Sequence, residues 1–427
     1  MMADDAAEAR WKKLTLTGPK TPGGELLRRY WQPVALSKEF PPGSPPRHHR
    51  IMSEDLVLFR DDQGIAGLLG LRCPHRNADL SFGRAEDGGL RCPYHGWLFD
   101  VRGQCLDQPN IPLEHRSPEQ IRQKAYPCIE RGGIVWTYMG PGSPPELPAY
   151  PFLDAPEGHV YAMVWPSACN YLQGVEGNID PSHTSFLHRI SPPSGAQNPS
   201  MAGFKADTAP RLSVVDTSFG LRLLAERTID EKGTVMLRSS NFILPNAASA
   251  NGSEGALGLG GCSILWHVPI DDTSHIRFEI MYHAKKPLPI ADYEAGRLKE
   301  LDDNGVRIRT MANRYLQDRE EMKRNTYAGV GYSFPIHDLF VTESMGGISD
   351  HRTEHLTVSD MAIGRARREL LRAIEQVEAG GEAPSQDRSG RFDDFVTFTA
   401  MIDKGTDVKQ YASDMASRRI YEPEPQG

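Results

Sequence analysis

No apolar run in these 427 residues approaches the roughly eighteen residues of a membrane-spanning helix. The opening Met1–Arg10 is acidic and polar, without the apolar stretch of a signal peptide. Positive charge is in deficit: 48 Lys and Arg stand against 56 Asp and Glu, a net charge of −8. Phosphate binding is largely electrostatic, so this balance argues against a nucleic-acid or anionic-membrane partner. Cysteine is scarce, six in all, which excludes a disulfide framework in a chain this long. Cys105, Cys128, Cys169 and Cys262 read as reduced thiols, and the expected compartment is the cytoplasm. A dinucleotide fingerprint is also missing, because the Gly-rich run Gly252–Gly261 precedes a strand pattern instead of opening a helix after one. It reads as a loop near a substrate.

What remains is ordinary soluble-protein composition, 39% hydrophobic and 24% charged, in a chain too long for one comfortable core. The proline-dense Gly140–Pro148 fixes extended backbone and removes donors, so it marks the boundary between domains 1–148 and 149–427. Before it, short β segments are expected at Leu56–Arg60, Ile65–Leu71, Gly89–Arg91, Leu98–Asp100 and Ile134–Met139. After it, strands are expected at Leu212–Val215, Gly220–Thr228, Thr234–Leu244, Ser263–Pro269 and His275–Ala284. Helical stretches follow at Asp292–Arg324 and at Met361–Ala379, the latter with an apolar stripe of Ile363, Leu370, Leu371, Ile374 and Val377. Ser359 or Asp360 can cap it and Gly380-Gly381 ends it, while Phe392–Met401 can dock back on the body. The whole reads as an α+β protein.

The chemistry concentrates in two runs. Cys73-Pro74-His75 and Cys92-Pro93-Tyr94-His95 form a C-x-H and a C-x-x-H separated by sixteen residues. In a Rieske [2Fe–2S] centre two thiolates bind one iron and two imidazoles the other, which raises the reduction potential above that of an all-Cys cluster. A structural zinc site uses the same donors, but C-x-H is tighter than the usual zinc-hairpin spacings. Gly83, Gly88, Gly89, Gly96 and Gly103 can supply the positive-φ turns of tight cluster loops. The second run, Asn170–His188, contains Asp180, His183 and His188 as D-x-x-H-x₄-H. Two imidazoles and a carboxylate form the facial triad that leaves open positions on non-haem Fe(II). His183 and His188 lie about 140° apart round an ideal helix, so the chain must distort or end between them. Asp180-Pro181 also suits a helix N-cap with proline at the first helical position.

Arg29-Tyr30-Trp31-Gln32-Pro33-Val34, Arg72–Arg76, Arg91–Trp97, Gly174–His188, Glu343–Gly346 and Asp350–Leu356 together carry a resemblance. Over almost its whole length the chain resembles the alpha (oxygenase) subunit of Rieske non-haem iron ring-hydroxylating oxygenases. The phthalate dioxygenase and chlorobenzoate dioxygenase branch is the nearest. Respiratory Rieske proteins carry an additional Cys in each loop, where this chain has Ala78 and Tyr94. The resemblance implies a β-rich Rieske [2Fe-2S] domain with ligands Cys73, His75, Cys92 and His95, then a helix-grip catalytic domain. It implies mononuclear Fe(II) held by His183, His188 and an Asp just before the Glu-Ser-Met-Gly run. Asp338 matches that place, with Asp350 and Asp360 as competitors. Asp180 is then the bridge through which one subunit's cluster passes electrons to the next subunit's iron, in a homotrimer or a multiple of it. Asn77, where many relatives have Gly, tolerates positive φ.

The function so implied is oxygen insertion from O2 into an aromatic, carboxylated substrate, as in aromatic hydrocarbon catabolism. NAD(P)H supplies the electrons through a separate flavin/iron-sulfur reductase. Arg211, Arg222 and Arg238 are candidates to hold a carboxylate, weighed against a solvated strand face. A Rieske monooxygenase or O-demethylase is the alternative within the class. A pure electron-transfer Rieske protein and a zinc-stabilised structural protein are the rivals outside it.

Overall fold

The computed structural model describes residues 2–191, 199–250, 259–384, 394–418 and 420–421. The chain forms two compact units, one of Leu16–Leu147 with Val268–Asp271, the other of Met1–Thr15, Pro148–His267 and Asp272–Gly427. The passage from Leu147 to Pro148 falls in the proline-dense segment. The amino terminus departs from a unit starting at residue 1, because the helix Met2–Thr15 belongs with the second unit. Its Trp11 and Leu14 are buried there, and the Asn170 side-chain amide and the Tyr171 hydroxyl donate to the Thr15 and Leu14 carbonyls, both at 2.8 Å.

The smaller unit holds three small antiparallel sheets among its described residues, with strand segments at Glu54–Arg60, Ala66–Gly70, Gly89–Arg91, Leu98–Phe99 and Ile134–Thr137 where the sequence pattern puts them. Val57, Phe59, Leu69, Leu80, Leu90 and Phe99 form a common core into which Cys73, Cys92 and Trp97 also turn.

In the larger unit one 8-stranded antiparallel sheet runs in the order Val160–Ser167, Ser274–His283, Gly261–Asp271, Ala247–Ala250, Val235–Ile243, Gly220–Thr228, Arg211–Thr217. Phe398–Ile402 joins it along Val235–Ser239, so the carboxy-terminal part does dock back; residues 392 and 393 of that stretch lie outside the described residues, as do 251–258 of the Gly-rich loop. Val160–Ser167 alternates strictly at its start, sending Tyr161, Met163 and Trp165 into the core. The helix Met361–Glu378 follows a capping box in which Asp360 accepts from the Thr357 backbone at 2.7 Å. Gly380, at φ 82°, ends it. Its buried stripe is displaced from the expected one and leans on alanine: Ala362, Ala366, Leu370, Ala373, Ile374 and Val377 are buried, while Ile363 and Leu371 are only partly so.

Asp292–Arg324 is not one helical stretch. It splits into the helix Ile290–Leu298, a turn, a 3-10 segment Met311–Leu316 and the helix Arg319–Arg324. The break is chemical: the Asp302 carboxylate accepts from the Asn304 and Val306 amides at 2.9 Å each, and Gly305 takes φ 75°. Further on, Arg314, Tyr315 and Leu316 all have φ near 50°. Left-handed backbone costs on the order of 1–2 kcal/mol per residue. Tyr315 holds it there, fully buried, with its hydroxyl on Leu339 and Glu343 of the helix Phe334–Ser344.

Candidate metal centres

In the smaller unit Cys73 and Cys92 each open a loop that closes on itself in the same way. The Cys73 amide donates to Ala78 and the Asn77 amide returns to Cys73, at 2.9 and 2.8 Å; the Cys92 amide donates to Trp97 and the Gly96 amide returns to Cys92, at 2.8 and 3.1 Å. Asn77 (φ 60°) and Gly96 (φ 78°) therefore occupy equivalent positions, the fourth after each cysteine, where the loop needs left-handed backbone. Asn is the residue after Gly best able to adopt it, which is why Gly is dispensable at 77.

Those loops bring the four candidate ligands together. The His75 and His95 rings sit 4.5 Å apart between centroids, and His75 stacks on Trp97 at 4.6 Å, whose indole N–H is fixed by Asn110 at 2.8 Å. Burial, with Cys92 alongside, pushes the Cys73 thiol up to about 12, so ionisation there calls for a cation. The Nδ1 of His95 is buried without a hydrogen-bond partner, the signature of a nitrogen kept for another bond. Two thiols and two imidazoles on facing loops fit a Rieske cluster.

The second constellation lies wholly in the larger unit. The helix Tyr171–Ile179 begins at Asn170, whose side chain accepts from Leu172, and stops at Asp180 because Pro181 follows. Asp180 then starts the next turn: one carboxylate oxygen accepts from the Ser182 amide (2.6 Å), the other from the His183 amide (3.1 Å). The 3-10 turn His183–Ser185 breaks the helical course. His183 and His188, which a regular helix would splay, thereby converge with Nε2 atoms 3.1 Å apart.

Asp338 reaches the same point from the helix Phe334–Ser344, with Oδ1 3.1 Å from His188 Nε2 and 3.8 Å from His183 Nε2. Among the described residues this is the one group of three such side chains whose donor atoms lie close enough, within 4.8 Å, to share an ion. Asp350 and Asp360 are engaged elsewhere, Asp350 with Arg352 and Asp360 in its capping box. The other oxygen of Asp338 accepts from Arg277 at 2.9 Å and from Asn178 at 3.3 Å. Burial raises this carboxyl, but His188, Arg277 and His183 outweigh it and hold the group well below the usual carboxylate range. Burial pushes His188 down to about 4, so the imidazole is neutral and able to ligate. Burial lowers His183 too, yet Asp180 and Asp338 bring it above its ordinary value.

Several partners were not legible as site residues. Asn178 meets His267 at 2.8 Å, His267 meets His275 at 3.0 Å, and His275 ends on the Cys169 carbonyl at 2.8 Å. His188 faces His337, which ends on the Gly331 carbonyl. Arg277 and Glu279 pair at 3.0 Å on one face of their strand. His275, Arg277 and Glu279 alternate with apolar residues, and that period-two polar face was the available signal.

Two cavities border the cluster. The smaller, about 140 Å³, is lined by His183, His188, Asp338, Arg238, Glu279 and small side chains of the sheet; the larger, about 440 Å³, by Asp180, His183, Asp338, His267, Met345 and Leu356 among others. The three candidate arginines separate here. Arg211 is exposed near Glu226, Arg222 is buried against the Asp394 carbonyl, and Arg238 lines the smaller cavity with its guanidinium 5.5 Å over Phe204.

Comparison with known proteins agrees with this layout. Residues 30–120 match the Rieske [2Fe-2S] domain and residues 137–425 the family described as LigXa C-terminal domain like. The phthalate 4,5-dioxygenase oxygenase subunit of Pseudomonas putida is 35% identical, covering 91% of each chain. The 3-chlorobenzoate-3,4-dioxygenase oxygenase subunit of Comamonas testosteroni is 33% identical, covering 87% of this chain and 89% of the other. The 5,5'-dehydrodivanillate O-demethylase oxygenase subunit of Sphingobium sp. (strain NBRC 103272 / SYK-6) is 31% identical over 86% and 80%. Among solved structures, dicamba monooxygenase bound to dicamba superposes with a TM-score of 0.56 at 20% identity, covering 83% of this chain and 99% of that one. The carbazole-bound oxygenase in its ferredoxin complex gives 0.57 at 22%, covering 90% and 97%.

Proposed function

The chain belongs to the Rieske non-haem iron oxygenases, and on that premise we propose that it is the oxygenase component of a multicomponent enzyme acting on an aromatic carboxylate. The convergence of His183, His188 and Asp338, downstream of Rieske loops in the same chain, carries this reading. A pure electron carrier has no use for that second centre, and a zinc protein has no use for the first in this form. The ligands we assign are Cys73, His75, Cys92 and His95 for the [2Fe–2S] cluster and His183, His188 and Asp338 for Fe(II). Bound there, the cluster would supply electrons singly and the mononuclear iron would supply dioxygen activation.

The protein's own groups do the rest. Arg277 and Asn178 occupy one oxygen of Asp338 and leave the other to the metal. Asp180 stands 3.7 Å from Nδ1 of His183 and lines the larger cavity, whose rim includes the exposed Met345 and Leu356. We place the cluster loops of a second copy at that rim, in a homotrimer or a multiple of it, with Asp180 as the bridge. Electrons come from a separate reductase, of the flavin/iron-sulfur type, drawing on NAD(P)H. Six free thiols accord with a reducing cytoplasm, and no described helix is long and apolar enough to cross a membrane. Arg238 is the group we assign to the substrate carboxylate, since a half-buried guanidinium on the cavity wall beside a ring face favours a charge-assisted pair.

The O-demethylase relative favours a second reading, monooxygenation of a methoxybenzoate on the same ligands. A panel of phthalates, benzoates and methoxybenzoates with a surrogate reductase under labelled dioxygen, read by mass spectrometry, decides between them. Two labelled oxygens in the product mean a diol, and formaldehyde release means demethylation. No substrate-dependent oxygen uptake from protein loaded at both centres would refute both. Asp180→Ala is expected to keep the iron–sulfur cluster and to fill the mononuclear site at saturating Fe(II), yet to lose nearly all turnover.

A further inference from the structure

His337 is fully buried and belongs to no ligand set, yet it faces His188. Its Nε2 lies 2.8 Å from the carbonyl oxygen of Gly331, an atom that can only accept. A buried ring with that single acceptor is neutral, so its proton sits on Nε2 and Nδ1 offers a lone pair. That lone pair is 3.3 Å from Nδ1 of His188, which must therefore carry a proton. His188 is left with a bare Nε2, the atom 3.1 Å from Asp338 Oδ1. The carbonyl end is itself anchored: the Gly331 amide donates to Glu321 at 2.9 Å, and Glu321 also accepts from the Thr326 hydroxyl at 2.5 Å.

We propose that His337 is a positioning residue that locks His188 in the Nδ1–H tautomer and so aims its Nε2 at the metal. It rests on the reading of His183, His188 and Asp338 as the iron ligands. The two imidazoles then have unlike supports, a carboxylate (Asp180) behind His183 and a neutral ring behind His188. Phe334, whose ring lies 4.7 Å from that of His188, supplies packing but no acceptor. Packing and hydrogen bonding can therefore be separated by substitution.

The test uses the full-length protein with its iron–sulfur cluster intact, and reads Fe(II) affinity by chelator competition and the optical spectrum of the Co(II)-substituted site. His337→Phe keeps an aromatic ring against His188 and removes the acceptor; loss of such a partner typically weakens metal binding about 10–100-fold. His337→Asn retains an acceptor near the Nδ1 position and is expected within a few-fold of the unsubstituted protein, with the same Co(II) spectrum. Unweakened binding in His337→Phe overturns the proposal, and so does an equal loss in both variants, which would mean packing alone. His188→Ala distinguishes the underlying reading: if it binds Fe(II) as the parent does, the ligand assignment falls and this proposal with it.

Discussion

Gly174 sits where the helix Tyr171–Ile179 rests on the sheet, and replacing it by Ala should destabilise the protein although it lies inside a helix. A Cβ there would meet His267 Nδ1 at 2.3 Å, His267 Cε1 at 2.7 Å and His275 Nε2 at 2.8 Å. Neither ring is free to swing away, because His275 is tied to the Cys169 carbonyl and His267 to both His275 and Asn178. In an open helix the same change would stabilise by about 0.8–1 kcal/mol. Overpacking a fixed core costs about 1–3 kcal/mol, and contacts this short belong at the upper end. The net is a loss of about 2 kcal/mol, or a Tm lower by about 3 °C for a unit of about 290 residues whose unfolding entropy is ~2.1 cal/mol/K per residue.

Gly296 provides the control. It lies within the helix Ile290–Leu298 and its added Cβ would meet nothing within 4 Å. Gly296→Ala should therefore raise stability by up to about 1 kcal/mol. Calorimetry on the two variants should show shifts of opposite sign. Iron content should fall only in Gly174→Ala, since the helix it would lift carries Asn178 and leads into Asp180. A Gly174→Ala protein as stable as Gly296→Ala would refute the close approach of helix and sheet.

Asp338→Ala should bind no mononuclear iron while keeping the visible absorption of the iron–sulfur cluster; Cys92→Ser should do the reverse, so metal analysis of the pair tests both assignments. Arg238→Gln removes a charge-assisted hydrogen bond worth about 1.5–3 kcal/mol, so KM for carboxylated substrates should rise roughly 10–100-fold with kcat little changed; an unchanged KM would remove Arg238 from the substrate site. Burial holds His275 down to about 4 from an ordinary 6.5, so on acidification the unfolded chain takes up a proton that the folded one refuses. Its contribution is harmless above pH 6.5 and destabilises progressively as pH falls towards 4, by about 1.4 kcal/mol per unit. Urea midpoints at several pH values should show a shallower acid loss in His275→Gln than in the parent.

Much of the fold could be read from the chain because its signals are local. The strands Gly220–Thr228 and Val235–Ile243 are largely buried runs of strand length, and the helix Met361–Glu378 carries its own periodicity and stop signals. Where the expectation failed, a local signal lost to a stronger one: recurring Leu, Ile and Met suggested helix across Asp292–Arg324, but Asp302-Asp303-Asn304-Gly305 is turn chemistry, and the amides it captures cannot also serve a helix. The short Ala247–Ala250 strand has almost no signal of its own. It exists because Val235–Ile243 and Gly261–Asp271 lie on either side to pair with it.

The candidate site divides along the same line. The ligands in the first run and the His183–His188 pair are close in sequence, and the spacing of the two histidines alone demanded the break that the 3-10 turn His183–Ser185 supplies. Asp338, 150 residues beyond His188, was reachable only through likeness to a family. The groups that orient the ligands were out of reach by either route. Asn178 is tied to strand residues nearly a hundred positions away, and His188 to a ring on another helix. Such pairings are made by tertiary folding, and each consists of one hydrogen bond whose polarity depends on what the far nitrogen touches. A His beside an Asp in sequence says nothing about tautomers, whereas a carbonyl 2.8 Å from its Nε2 determines one. The ligand set of a metal centre is thus partly a property of the chain, but its tuning is a property of the fold, and substitutions at His337, His267 and His275 should separate relatives that share every ligand.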